Sequence, residues 1–327
     1  MASPHETSRW GRPLPDLSGM LALVTGASDG VGLEIARALA GAGAELILPV
    51  RNRVKGEAAV ARIRESVPRA PIGLRDLDLA SLQSTGDLVQ TLVREGRPID
   101  LYVANAGIIL LGDPVRHLSA DGCELHFQTN FLGHAALTAG ILPLLRAGSA
   151  RVAVQCSMAA DHYGLDFDDI QVVRRYSALR AYASSKIALG LFGMELQRRS
   201  ARAGWGVRVA LCHPGVALTN IAPAALRERD RLWTRASRAL IERGPFGQSP
   251  ADAALPALHA VTSPDAVGGA LYGPSGLLHL SGPPRSQRLY RRLADPAAAA
   301  RVWRMLGEML PVPFADLADV PSSTCGE

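Results

Sequence analysis

Short apolar runs alternate with longer amphipathic stretches along this chain. The runs Leu21–Thr25, Glu45–Val50, Ile72–Leu77, Ile99–Ala104, Arg151–Cys156, Val207–Cys212 and Ala270–Tyr272 have the length and character of buried strands. Between them, helical patterns fill Val31–Ala42, Lys55–Ser66, Leu82–Arg94, Cys123–Leu145, Ala178–Ala203 and Ala251–Val261. Such alternation predicts βαβ units and a parallel sheet with helices on both faces. Right-handed crossovers leave few topologies for it. No internal repeat or low-complexity linker interrupts the pattern. One domain is expected over 18–310, after an N-terminal arm at 1–17 and before a proline-containing C-terminal tail at 311–327. The stretch Ile221–Gly244 is helical in pattern, rich in Arg and Ala, and lies between two core elements. A substrate lid is therefore expected around 216–244.

Composition narrows the class. With 327 residues, 48% of them hydrophobic, the chain can bury a sizeable core. The net charge is +5 and the pI about 9.3. The arginines cluster only at Arg227–Arg238 and Arg285–Arg292, where they alternate with apolar residues as solvated helix faces do. No nucleic-acid or membrane partner is expected from them. The cysteines Cys123, Cys156, Cys212 and Cys325 lack metal-type or disulfide-type spacing. Residues 1–19 contain no apolar signal core, and no run approaches a membrane span. A cytoplasmic protein with reduced thiols is expected.

Two segments carry candidate chemistry. The first is Met20 to Ala40, where an apolar run leads into TGASDGVG (25–32) and then a helical pattern. Strand, glycine turn and helix are the context of a dinucleotide fingerprint, although the spacing here is G-x-x-x-G-x-G. Gly26 would make the tight turn, Gly30 would let the backbone approach a pyrophosphate, and Gly32 would let helix pack on strand. The helix N-terminus would then face the phosphates. The second segment is Tyr182-Ala183-Ser184-Ser185-Lys186. The chain has thirty-three arginines but only two lysines, Lys55 and Lys186. Positions i and i+4 share a helix face. An ammonium there would favour the phenolate and bring Tyr182 toward use as a general acid or base. Tyr176 and Arg180 have the same spacing but lack the small-residue spacer, so Tyr182 is the favoured phenol.

With these pieces placed, the chain resembles the short-chain dehydrogenase/reductase family over residues 18 to about 275. TGASDGVG, DLDLASL, ANAG, Gln128-Thr129-Asn130-Phe131-Leu132-Gly133-His134, Ser157, YASSK and HPG carry the resemblance. RNRVKGEAA, NFLGH and RYSALRAYASSKIAL make it most similar to reductases of retinol-dehydrogenase type. The resemblance implies a Rossmann-type, doubly wound parallel sheet of seven strands, order 3-2-1-4-5-6-7, with its site at the carboxyl ends of the strands. It implies Asn130, Ser157, Tyr182 and Lys186 as the catalytic set. Tyr182 would move the proton, Lys186 would tune it and hold the nicotinamide ribose, and Ser157 would hold the substrate oxygen. Asn130 would bend its helix and hold a water leading from Lys186. The implied cofactor contacts are Gly26, Ser28, Asp29, Gly30, Val31, Gly32, Arg51, Asn52, Asp78, Leu79, Asn105, Ala106, Gly107, Tyr182, Lys186, Pro214, Gly215, Val216 and Thr219. No metal is implied. A homodimer or homotetramer would be in keeping with the family.

No acid occurs between Leu46 and Gly56, where an NAD site usually places one for the ribose hydroxyls. Arg51 stands there instead and could take a 2′-phosphate, so NADP(H) is expected over NAD(H). Asp29 weakens this, because some NADP-preferring relatives carry a base at its place. Cys156 stands before Ser157 where many relatives have another Ser. The expected function is NADPH-dependent reduction of a carbonyl on a small, lipophilic or polycyclic substrate. An alcohol dehydrogenase working oxidatively and a non-catalytic cofactor-binding sensor or scaffold are the alternatives.

Overall fold

Leu21-Ala22-Leu23-Val24 forms strand β1, and its side chains divide between two cores. Leu21 and Leu23 pack on one face of the sheet; Ala22 and Val24 pack on the other. The same alternation runs through β4 (Leu101–Ala104), β5 (Arg151–Gln155) and β6 (Arg208–Cys212). Strands buried on both faces are what a parallel sheet between helix layers requires. The computed structural model describes residues 9–216 and 247–310. The remaining strands are β2 (Glu45–Val50), β3 (Ile72–Asp76), β7 (Leu271–Pro274) and β8 (Pro284–Gln287).

The sheet order is 3-2-1-4-5-6-7-8. The first seven strands pair in parallel, as the sequence pattern predicts. The expectation of seven strands is corrected by one: β8 adds antiparallel to β7, with Leu271 opposite Gln287. Its sequence, Pro-Arg-Ser-Gln, shows no apolar alternation, and a proline is tolerated there because the strand is at the sheet edge.

On one face lie α1 (Gly30–Gly41), α2 (Arg53–Ser66) and α7 (Pro250–Thr262). On the other lie α3 (Leu82–Glu95), α4 (Gly133–Ala147), α6 (Ala178–Ala203) and α8 (Pro296–Met309). A single turn, α5 (Ala159–His162), follows β5. Side-chain caps start many of these helices: Asp29, Asn52, Ser81, Ser249 and Asp295 each accept from a backbone N–H of the first turn. Helix α8 was not read from the sequence, yet its signal is present. Asp295 caps it, Pro296 opens it, and Ala299, Val302, Trp303 and Leu306 form the buried stripe. Trp303 stacks on Phe192 of α6 at 5.7 Å.

The long helix expected over Cys123–Leu145 is not regular. Phe127–Leu132 is π-helical and leads into α4. Residues 9–17, assigned to an arm, run along the α1 and α7 face: Leu17 is buried, Trp10 and Leu14 pack on the core, and the Arg9 N–H donates to Asp252 Oδ1 at 2.8 Å. Among the described residues no helix is long and apolar enough to cross a membrane. The expected lid, apart from Val216, lies outside the described residues, as do Thr219, Cys325 and the tail.

Candidate active site

The strand order reverses between β1 and β4, and the crevice of such a sheet opens at that point. Two loops meet there. Gly26 turns the chain after β1 with φ +69, and a Cβ on it would come within 2.8 Å of the Ala106 Cα. A Cβ on Gly32 would drive into the Gly26 carbonyl oxygen and lie 2.5 Å from Asn105 Nδ2. Asn105 then ties the loops together. Its Nδ2 donates to the Thr25 carbonyl at 3.0 Å, while the N–H groups of Asn105 and Ala106 both donate to Thr25 Oγ1 at 3.0 Å. Thr25, within the TGASDGVG motif but unassigned in the sequence reading, is therefore the hinge of the pair. The bare backbone of the turn and the start of α1 form a cradle that fits a pyrophosphate. Gly32→Ala should cost about 1–3 kcal/mol in stability, as overpacking does. It should weaken dinucleotide binding at least as much, measurable by thermal melting and cofactor titration. A variant that binds like the parent would show that the turn does not hold the cofactor.

At the end of β2, Arg51 is exposed. Asn52 is committed to folding: its Oδ1 accepts from the Lys55 N–H at 3.0 Å and caps α2. Asp29 accepts from the Gly30 N–H at 2.8 Å and pairs with Arg62 at 3.8 Å. Its charge is thus answered by an arginine on α2, on the Arg51 side of the turn. Arg53 reaches both Glu57 and Asp76. Asp78 closes its own turn by accepting from the Ala80 N–H at 3.0 Å, and Leu79 beside it is buried. Ser28 lies on this same turn, and Val31 is the second residue of α1.

Deeper in the crevice, α6 brings Tyr182 and Lys186 to the end of β5. Lys186 is 4% exposed, and its Nζ donates to the Gln155 carbonyl at 2.9 Å. Burial lowers its pKa to about 8. Tyr182 is half-buried. Burial pushes its phenol above the ordinary value, and the hydrogen bond with the Ser157 side chain draws it partly back. The sequence expectation was that Lys186 lowers this pKa; among the protein's own groups, burial and Ser157 decide it instead. Asn130 is fully buried in the π-helical segment. Its Oδ1 accepts from the Ile108 N–H at 2.7 Å, and its Nδ2 donates to the Ile108 carbonyl and to Ser185 Oγ, both at 3.0 Å. A Cβ on Gly107 would lie 3.1 Å from Asn130 Oδ1 and 3.2 Å from Lys186 Nζ. Gly107 thus lets the β4 loop run directly over both groups.

Pro214-Gly215-Val216 continues β6 into the same end of the sheet. Gly215 has φ +64 and donates to His213 Nδ1, and Val216 donates to the Leu280 carbonyl at 2.9 Å. Tyr176 is not on α6 but precedes it, and its hydroxyl donates to Glu124 Oε1 at 3.4 Å. Burial and that carboxylate push it up to about 12. His134 donates to the Ala106 carbonyl, and burial lowers it to about 4, so it is a neutral structural residue. Cys123, Cys156 and Cys212 are buried free thiols. Among the described residues, no group of three or more His, Cys, Asp or Glu could hold a metal ion.

The family profile described as short chain dehydrogenase matches residues 20–230. Polyprenol dehydrogenase of Danio rerio is 35% identical over 271 residues, covering 79% of each chain. Retinol dehydrogenase 13 of Homo sapiens is 37% identical over 207 residues, covering 63% of this chain and 61% of that protein. Among solved structures, an uncharacterised protein from Mycobacterium paratuberculosis superposes with a TM-score of 0.72 at 30% identity, over 90% of this chain and 95% of that one. An NAD(P)-dependent gluconate 5-dehydrogenase from Beutenbergia cavernae, with bound NADP, superposes with a TM-score of 0.59 at 26% identity, over 77% and 92%.

Proposed function

The chain belongs to the short-chain dehydrogenase/reductase family and is an oxidoreductase, and on that premise we propose that it uses NADPH to reduce a carbonyl of a lipophilic or polycyclic substrate. One observation carries the reductive reading: at the end of β5 a phenol kept protonated by burial meets the Ser157 hydroxyl, with a buried ammonium one helical turn away. When bound, NADPH would supply a hydride, with its two electrons, for the carbonyl carbon. Tyr182 gives its phenolic proton to the carbonyl oxygen as negative charge develops there. Ser157 donates a hydrogen bond to the same oxygen. Lys186, held on the Gln155 carbonyl, offsets the charge left on the phenolate. Asn130 braces Ile108 and Ser185 and so keeps Lys186 in register beside Gly107. The run Ile108-Ile109-Leu110-Leu111 next to these groups favours an apolar substrate.

For the cofactor, Arg51 is an exposed cation at the end of β2, and Leu46–Gly56 contains no acid. Its guanidinium would grip a 2′-phosphate by paired, charge-assisted bonds. Such bonds contribute about 1.5–3 kcal/mol, roughly a ten- to hundredfold preference. The expected result is a higher kcat/KM with NADPH than with NADH across a panel of bulky ketones, and loss or reversal of that preference in Arg51→Asp. Equal values in the parent, or an unchanged ratio in the variant, would sink the assignment. The names of the relatives, both dehydrogenases, favour an oxidative reading as well. Alcohols offered with NADP+ test it: a kcat/KM above that for the matching ketones would reverse the assigned direction. Cofactor binding without turnover of either class would instead support a sensor or scaffold.

A further inference from the structure

A buried carboxylate–imidazole couple lies beside the proposed proton donor and has no part in the chemistry above. Glu124 and His126 are each 1% exposed or less. His126 Nε2 lies 3.0 Å from the Leu110 N–H, which can only donate, so Nε2 carries the lone pair. The imidazole proton therefore sits on Nδ1 and is donated to Glu124 Oε1 at 2.7 Å. The other carboxylate oxygen accepts from the Phe127 N–H at 2.8 Å. The Tyr176 hydroxyl also donates to Oε1, and the Glu124 N–H donates to Gln171 Oε1 at 2.8 Å. The His126 ring meets the Tyr182 ring edge to face, with centroids 6.4 Å apart.

Filling this space with apolar side chains would avoid the desolvation of a carboxylate and an imidazole. The geometry supplies a reason for the polar choice. His126 and Asn130 are four residues apart on one helical segment and hold alternate residues of one loop, Leu110 and Ile108. Glu124 joins that clamp to the segment 171–176, which leads into α6 and Tyr182. We infer that His126, fixed in its tautomer by Glu124, is a positioning residue: it pins the apolar wall Ile108–Leu111 beside the Tyr182 ring, so that a bulky carbonyl substrate is presented to the phenol. The inference rests on the carbonyl-reductase reading of the same site.

Two polar replacements separate the roles. Gln at 126 retains an acceptor at the reach of Nε2 and so can hold Leu110. Asn retains a donor at the reach of Nδ1 toward Glu124 but leaves the Leu110 N–H without its partner. His126→Asn should raise KM for a polycyclic ketone about tenfold, the scale of one lost buried hydrogen bond, with NADPH affinity within about twofold of the parent. His126→Gln should stay within about threefold on both. Hydrogen–deuterium exchange provides a readout independent of turnover: the peptide covering 107–113 should exchange about tenfold faster in the Asn variant and near the parental rate in the Gln variant. Indistinguishable KM and exchange in the two variants would overturn the inference. If the parent reduces no ketone, the proposed function fails, while the exchange contrast still decides whether His126 holds the wall.

Discussion

Tyr182→Phe is expected to lower kcat for ketone reduction by at least about a hundredfold, the usual scale of a general acid. Cofactor affinity should change little. Phe keeps the ring, so the edge-to-face contact with His126 survives and the loss belongs to the hydroxyl. Burial holds that hydroxyl above its ordinary pKa, against the pull of Ser157. At neutral pH it is therefore protonated, the form a donor needs. The sign for the parent follows: reduction runs while the phenol keeps its proton and declines as pH rises through its pKa. Oxidation of an alcohol would need the phenolate and would rise over the same interval. Rapid-mixing measurement of the chemical step in parent and variant tests the assignment. Near-normal turnover in the variant would move the role elsewhere, with Tyr176 the first suspect.

Lys186→Met should depress turnover by a similar factor of about a hundred, because the phenolate then forms without a neighbouring cation. Any part of the alkaline limb set by loss of the Lys186 proton near pH 8 should vanish in the variant, and overlaying pH–rate profiles would detach Lys186 from proton transfer. A second consequence needs no substrate. The native ammonium loses its proton near pH 8, whereas in the unfolded chain it does so near 10.5. Between those values the unfolded state binds the extra proton, so parental stability should rise with pH across that window. The whole effect is of order 3 kcal/mol at most. Replacement by Met removes it. Melting temperatures of parent and variant should therefore change relative to one another between pH 8 and 10.5, the parent gaining. Parallel curves would mean that Lys186 is not buried as a cation.

Much of the site could be read along the chain because its parts are local. Tyr182 and Lys186 are one turn apart on a helix whose limits, Ala178–Ala203, follow from its period and its glycine stop at Gly204. Gly26 sits in the turn and Gly32 in the first turn of α1, and the strand, turn and helix are continuous in sequence. Partners distant in sequence were not legible. Thr25 receives two amides from the β4 loop, and Lys186 is anchored on Gln155, thirty-one residues away. Glu124 and His126 fall at the start of the stretch Cys123–Leu145, and nothing in its period marks them as a pair. Strand β8 has no apolar pattern, since an edge strand is held by its neighbour's backbone.

The sequence by itself determined the alternation of strands and helices and the residue types that meet at the strands' carboxyl ends, while the order of the first seven strands followed from the family resemblance. Periodicity, glycine placement and handed crossovers act over a few residues or one crossover, so they are written locally. The tertiary structure alone decided which way the two central titratable groups move. Spacing suggested that an ammonium would pull a phenol down. Packing instead buries Lys186 and half-buries Tyr182, raising the phenol and lowering the ammonium, because desolvation penalises whichever form is charged. That penalty depends on everything packed around the groups from β5, β6, α6 and the π-helical turn, and no short stretch of sequence encodes it.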